Sequence, residues 1–126
     1  MAEFTFDVET KPKLHSPGIH HGTIRQIVDQ ISERYGNRQL VITVTTRSLE
    51  GNLEFGEIKD WVNATFKPES DLGKIYTAVS GQEIVPGLSI DTDKDLLNKS
   101  ALVDIEHYIK QNDQMGMRIR EWLPLN

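Results

Sequence analysis

Residues 58–81 read IKDWVNATFKPESDLGKIYTAVSG, a pattern that predicts a strand followed directly by a helix. The first nine residues alternate in period two, which is typical of a β-strand, and Trp61 falls on the more polar side. Pro68 ends the strand, and Ser70 supplies an N-cap before apolar residues at helical spacing. Gly81 predicts the helix end. The outward indole of Trp61 is either covered by another part of the protein or free to meet a flat ligand.

Four more extended segments flank this unit. In the first, residues 19–31, the apolar spacing changes phase between Ile24 and Ile27, which predicts a β-bulge; a helix over residues 23–34 is the alternative. The other three alternate between apolar and polar side chains, and they span residues 40–47, 101–109 and 117–123. Residues 82–99 are acidic and rich in turn formers, and they predict a long loop with a short helical turn around residues 95–98.

The order of these elements predicts the fold. Three strands, one helix and two strands indicate an all-β protein, a five-stranded OB-fold Greek-key barrel with one α-helix between strands 3 and 4. We expect residues 18–126 to form this domain. Residues 1–17 form an N-terminal arm or an extra strand, because Phe4, Phe6 and Val8 alternate and could cover the face that presents Trp61.

Short motifs along the chain resemble those of phage and prophage OB-fold single-stranded-DNA-binding proteins. The motifs are GIHHGTIRQI, a YG turn, VNATF, SDLGK and DLLNK, and the resemblance runs from Gly18 to Pro124. In DLLNK, Asn98 takes the place of the glycine expected in that family, and asparagine tolerates the left-handed conformation. The resemblance implies binding of single-stranded DNA with little sequence specificity, in phage-type replication or recombination. It leaves open a homo-oligomer and contacts with replication proteins.

The fold implied by this resemblance also indicates where a ligand would bind. OB-folds bind on the face of strands 2 and 3 and in the loops that join strands 1 and 2 and strands 4 and 5. Single-strand binding needs aromatic rings for base stacking and cations for the backbone. The candidate nucleic-acid-binding residues are Arg47 on strand 2, Lys59, Trp61 and Asn63 on strand 3, Tyr35 and Arg38 in the first loop, Lys110 in the second, and Arg118, Arg120 and Trp122, which alternation places together on strand 5.

Each candidate also has a structural interpretation. Trp122 could close one end of the barrel, and Tyr35 could pack against its own turn. Arg47 and Lys59 could be ordinary solvated side chains. The same face could instead be an interface with a second subunit or a replication partner, which makes a protein-interaction or oligomerisation module the main alternative function. Carbohydrate binding on this face is a third possibility.

The charge of the chain bears on these alternatives. The 126 residues have a net charge of −5, which opposes binding to a polyanion because affinity for nucleic acids depends on lysine and arginine. The charge is unevenly distributed, since residues 1–9 and 83–95 each contribute −3 and the rest of the chain sums to +1. A locally positive groove is therefore compatible with the composition.

Composition and motifs also exclude several classes. The chain has no cysteine, so disulfides, thiol catalysis and cysteine-bound zinc are excluded. It has neither an apolar run of about 20 residues nor a signal-peptide pattern, which predicts a cytoplasmic protein without a membrane partner. No nucleophile elbow, phosphate-binding glycine loop or paired-acid motif is present, so we expect no enzyme activity and no cofactor.

No metal site is expected either. His20 and His21 point to opposite faces of a strand and cannot both bind one ion. Residues 91–95 imitate the start of a calcium loop, but the sixth and twelfth positions are Leu96 and Leu102, not glycine and glutamate. We interpret this segment as a solvated acidic loop.

Overall fold

The computed structural model describes residues 16–49 and 54–125, which form one antiparallel sheet and one α-helix. The predicted N-terminal arm lies outside the described residues, apart from its last two positions. The strands follow one another in the sheet as β3-β2-β1-β4-β5. Their bounds are β1 Gly18–Ile31, β2 Arg38–Arg47, β3 Glu54–Asn63, β4 Ser100–Ile109 and β5 Met115–Leu123, and the helix α1, Asp71–Ser80, lies between β3 and β4.

The five strands and the position of the helix are confirmed. The sheet is not closed into a barrel, because within the described residues no strand pairing joins β3 to β5. The two edges approach each other nevertheless, since the Trp122 indole Nε1–H donates a hydrogen bond of 2.9 Å to the Asp60 carboxylate. The arrangement is compatible with an OB-like fold.

Strand β1 pairs with strands on both sides and contains the predicted bulge. Residues 21–31 pair with β2, whereas only residues 18–23 pair with β4. The register with β2 shifts between Ile24 and Gln26, so that Arg25 is the extra residue of a β-bulge. The alternative of a helix over residues 23–34 is wrong.

The core lies between the inner face of the sheet and α1. Helix residues Leu72, Ile75 and Tyr76 pack against buried strand residues. A fully buried isoleucine such as Ile75 contributes roughly 1.5–3 kcal/mol relative to exposure. The strand residues with no exposed surface are Ile24, Ile42, Val44, Ala101 and Val103.

The ends of α1 are the predicted ones. The Ser70 hydroxyl accepts a hydrogen bond of 3.0 Å from the Gly73 N–H and donates one of 2.8 Å to the Lys67 carbonyl. Gly81 adopts a left-handed conformation with φ of 70°, and its N–H bonds the Thr77 carbonyl. Both caps satisfy backbone groups that the helix cannot pair internally.

The acidic loop differs from the prediction. Its helical turn is a π-helical turn at Thr92–Leu96, a few residues earlier than expected. The Asp91 carboxylate accepts from the Asp93 N–H at 3.0 Å, and Leu96 is completely buried in the core. The segment is therefore anchored to the core and is not a wholly solvated loop. Asn98 has a φ of 64°, the left-handed conformation that the sequence predicted for this position.

The described residues contain no helix that is both long enough and apolar enough to span a membrane.

Candidate functional site

The outer face of β1, β2 and β3 consists of rows of side chains that run across the three strands. Residues directly opposite each other in an antiparallel pair point to the same side of the sheet. Three adjacent rows follow from the register: Gln26–Thr43–Lys59, Val28–Val41–Trp61 and Gln30–Gln39–Asn63. The predicted residues Lys59, Trp61 and Asn63 thus lie together on one strand, each at the end of a row.

Trp61 has an exposed aromatic ring, and an apolar side chain lies beside it on β2. Its side chain is 56% exposed, while Val41, directly opposite on β2, is 8% exposed. Along β3 the exposed side chains of Lys59 and Asn63 stand on either side of it. The Asn63 amide oxygen accepts a hydrogen bond of 2.6 Å from Asn37. This combination offers a flat stacking surface next to one cation and one amide.

Arg25 belongs to the same face, although the sequence analysis did not identify it. The β1 bulge makes Arg25 an extra residue, and its Nε–H donates to the Thr45 hydroxyl at 3.3 Å. Thr45 lies on the outer face because its neighbour Val44 is completely buried in the core. The phase change between Ile24 and Ile27 was the signal that could have placed Arg25 here.

Arg25 and Arg47 together line a small surface pocket of about 170 Å³ at one end of this face. Neither guanidinium has an ion-pair partner among residues 16–49 and 54–125. The Glu54 carboxylate lines the same pocket, and Glu57 lies across from Thr45. Among the described residues, the outer face therefore has three cations without an ion-pair partner, Arg25, Arg47 and Lys59, against the two carboxylates of Glu54 and Glu57.

The first predicted loop places its two candidates differently. Tyr35 is 71% exposed in the turn between β1 and β2, and the Arg34 guanidinium lies 5.2 Å from its ring centroid. Arg38 is bound to the carboxylate of Asp29, with two Nε bonds of 3.0 Å. This hydrogen-bonded ion pair lowers the pKa of Asp29 and raises that of Arg38. Tyr35 is thus available to a ligand, whereas the charge of Arg38 is already matched.

A second bulge separates the three candidates on β5. The register with β4 shifts between Asp104 and Ile105, so that Ile119 and Trp122 both face the core side. The prediction that Arg118, Arg120 and Trp122 share one face is wrong for Trp122. The two arginines are on the outer face, where they bind carboxylates of β4, Arg118 with Glu106 and Arg120 with Asp104.

The hairpin of β4 and β5 brings Lys110 and Arg118 around a second ring, Tyr108. The Arg118 guanidinium lies 4.8 Å from the Tyr108 centroid. The ring covers Gly116, where an added Cβ would lie 2.7 Å from Tyr108 Cζ and 2.8 Å from Lys110 Cε. Tyr108 was not predicted from the sequence, and the signal for it was an aromatic residue opposite a glycine in a hairpin.

Trp122 lies in a groove of about 950 Å³ between α1 and the edges of β3 and β5. The charged residues of its lining are Asp60, Asp71, Lys74, Arg120 and Glu121, and the Arg120 charge is matched by Asp104. The groove is therefore acidic and disfavours phosphates. Trp122 remains a candidate, but its surroundings support it less than those of Trp61.

Burial of the Asp60 carboxylate raises its pKa above the ordinary value of 3.8, and the nearby charge of Asp71 adds to this. The hydrogen bond from Trp122 acts in the opposite direction. Because the folded pKa exceeds the unfolded one, the folded state binds more protons between the two values. Stability therefore falls as the pH rises from about 3.8 through the folded pKa.

We expect the Asp60→Asn variant to melt several degrees above the wild type at pH 7, because the amide oxygen keeps accepting from Trp122 without a buried charge. The gain should shrink as the pH falls towards 4 and the wild-type carboxyl becomes protonated. Thermal melts from pH 4 to 8 measure this. The Asp60→Ala variant is the control: it removes the charge and the acceptor together, so it should melt below Asp60→Asn at every pH because Trp122 loses its hydrogen bond. If Asp60→Asn and the wild type differ in melting temperature by the same amount at every pH, the pKa of Asp60 is not raised in the folded protein.

No protein-family model and no curated protein matches the chain. An exposed indole, an exposed amide and unpaired guanidinium and ammonium groups on one sheet face can stack on a planar group and neutralise anions.

Proposed function

We propose that this protein binds single-stranded DNA with little sequence preference, on the outer face of β1, β2 and β3. In this proposal the sheet is an OB-fold Greek-key barrel whose open seam lies between β3 and β5. The setting we propose is phage-type replication or recombination in the cytoplasm. The observation that supports the proposal most is the 56% exposure of Trp61 between Lys59 and Asn63.

The chemistry of this face suits a single strand better than a duplex. Every base has a π-face, so stacking on an indole is tolerant of sequence and contributes roughly 1–3 kcal/mol per base. A base inside a duplex is already stacked on its neighbours and cannot lie on a flat sheet. The apolar row formed by Val28, Val41 and Trp61 would extend the stacking surface across the strands.

The distribution of charge supports the same face. The arginines at positions 38, 118 and 120 are matched by carboxylates, whereas Arg25, Arg47 and Lys59 have no ion-pair partner in the described parts of the chain. An unpaired cation can release counterions from a phosphate, while a paired one must first give up its carboxylate. Phosphate contacts are therefore expected on the outer face of β1, β2 and β3 and not on β5.

Fluorescence titration with a dT oligonucleotide tests the proposal. We expect quenching of tryptophan emission at low salt, because Trp61 is exposed to the bases. Three phosphate contacts predict that log Kd varies with log salt concentration with a slope of magnitude about 2. Double-stranded DNA of the same length is the matched control and should bind more weakly. Unquenched emission with micromolar dT at low salt would contradict the proposal.

An interaction module is the second candidate function, and the tip of the β4–β5 hairpin favours it. Ile109 and Met115 face each other there, and they are 72% and 48% exposed. Exposed apolar side chains that lie next to each other can form part of a surface that meets another protein. Sedimentation equilibrium distinguishes the candidates: self-association without DNA binding, abolished by Ile109→Lys and unaffected by salt, would favour the module.

A further inference from the structure

The pocket at the β1 bulge has a composition that suits one phosphate group. Its volume of about 170 Å³ is small, and it is lined by two guanidinium groups, Arg25 and Arg47, and by Thr45 and Thr46. The bulge is what brings the arginines together, because a regular β1 would place residue 25 in alternation with its neighbours and not as an extra residue above Thr45. The Nε bond to Thr45 holds Arg25 against the sheet.

We propose that this pocket is a phosphate-binding site, formed by Arg25 and Arg47, that fixes the position of a bound strand relative to Trp61. Guanidinium groups bind phosphate through their N–H donors, and Arg25 keeps its two terminal NH2 groups for this while its Nε–H is bonded to Thr45. Glu54 reduces the charge of the pocket without cancelling it. The identity of the phosphate as part of DNA rests on the function proposed above, whereas the anion site itself does not.

The phosphate has two possible sources, a phosphodiester within the strand or a 5′-terminal monophosphate. Comparison of 5′-phosphorylated and 5′-hydroxyl dT oligonucleotides of equal length distinguishes them. The Arg25→Gln variant should weaken binding about tenfold at low salt and reduce the magnitude of the salt slope by about 0.7. Equal losses for both oligonucleotides indicate a phosphodiester, and a loss confined to the phosphorylated one indicates a terminal phosphate. Either result supports the site.

Two further variants control for total charge. Lys94→Gln removes one positive charge from the exposed turn beyond α1 and should leave both the affinity and the slope unchanged. Glu54→Gln removes the carboxylate of the pocket and should tighten binding. If Arg25→Gln binds like the wild type, or no more weakly than Lys94→Gln, the pocket does not hold a phosphate of the strand.

A direct measurement separates this inference from the proposed function. Titration with sodium pyrophosphate, observed by NMR at the arginine Nε–Hε groups, should shift the signals of Arg25 and Arg47 but not that of Arg120, which is bound to Asp104. If DNA does not bind but these signals shift, the DNA function fails and the anion site stands. If DNA binds while neither these signals nor the salt slope responds, the inference alone fails.

Discussion

The Trp61→Ala variant is expected to bind a dT oligonucleotide roughly 5- to 150-fold more weakly than the wild type, the range that corresponds to one lost stacking platform. The indole is exposed, so its removal exposes Val41 but leaves the core untouched. Fluorescence anisotropy of a labelled oligonucleotide measures the loss, because the variant no longer contains the tryptophan that reports binding. The melting temperature should stay within a few degrees of the wild type.

Two substitutions control this result. Trp61→Phe retains a ring and should recover most of the affinity. Trp122→Phe changes the other tryptophan, which faces the core side and binds Asp60, so it should lower stability while leaving DNA affinity within about twofold. Should Trp61→Ala bind as tightly as the wild type with the same salt dependence, the face of β1, β2 and β3 is not the binding site.

Gly73→Ala is expected to be the most destabilising single methyl that can be added to α1. The new Cβ would lie 1.8 Å from the Lys67 carbonyl oxygen and 2.8 Å from its carbon. The carbonyl cannot move away cheaply, because it accepts hydrogen bonds from both the hydroxyl and the N–H of Ser70. Overpacking together with loss of the cap predicts about 3 kcal/mol or more.

Thermal melts should show this as a decrease of about 10 °C or more for Gly73→Ala. The neighbouring variant Lys74→Ala is the matched control, since it alters an exposed side chain in the same turn and should change stability by less than about 0.5 kcal/mol. A Gly73→Ala protein that melts with the wild type would show that the helix is positioned differently against Lys67.

Local chemistry made the helix predictable from sequence. Ser70 and Gly81 act on backbone groups within one turn, and no distant residue is needed to place them. The end of β3 was predicted less well: alternation continues to Phe66, but the strand ends at Asn63. Phe66 instead packs edge-on against the Tyr76 ring, with 5.5 Å between the centroids, and this tertiary contact decides its direction.

The two bulges show why one irregularity was visible and the other was not. In β1 the bulge falls between two isoleucines, so it disturbs a hydrophobic pattern. In β5 the residues at the bulge are Arg120 and Glu121, both polar, and the pattern through Trp122 still looks regular. The facing of Trp122 could therefore not be predicted from alternation.

The unpaired cations could not be predicted from sequence either. Which arginine meets which carboxylate depends on strand register: Asp104 and Arg120 are 16 residues apart in the chain and become neighbours only once β4 and β5 pair. Arg38 and Asp29 meet in the same way across the β1–β2 hairpin. The sequence therefore predicts a set of candidate cations. Strand pairing then decides which of them, among the described residues, have a carboxylate partner.

The central position of β1 has a consequence for the newly made chain. Strands β1 to β3 are consecutive and can pair as they leave the ribosome. The other edge of β1, residues 18–23, can pair only after β4 has been synthesised. At 5–20 residues per second, residues 64–99 take roughly 2 to 7 s to synthesise. During that interval Gly18–Thr23 is an unpaired edge of an incomplete sheet. At this edge the nascent chain would be most prone to pair with another copy or to need a chaperone.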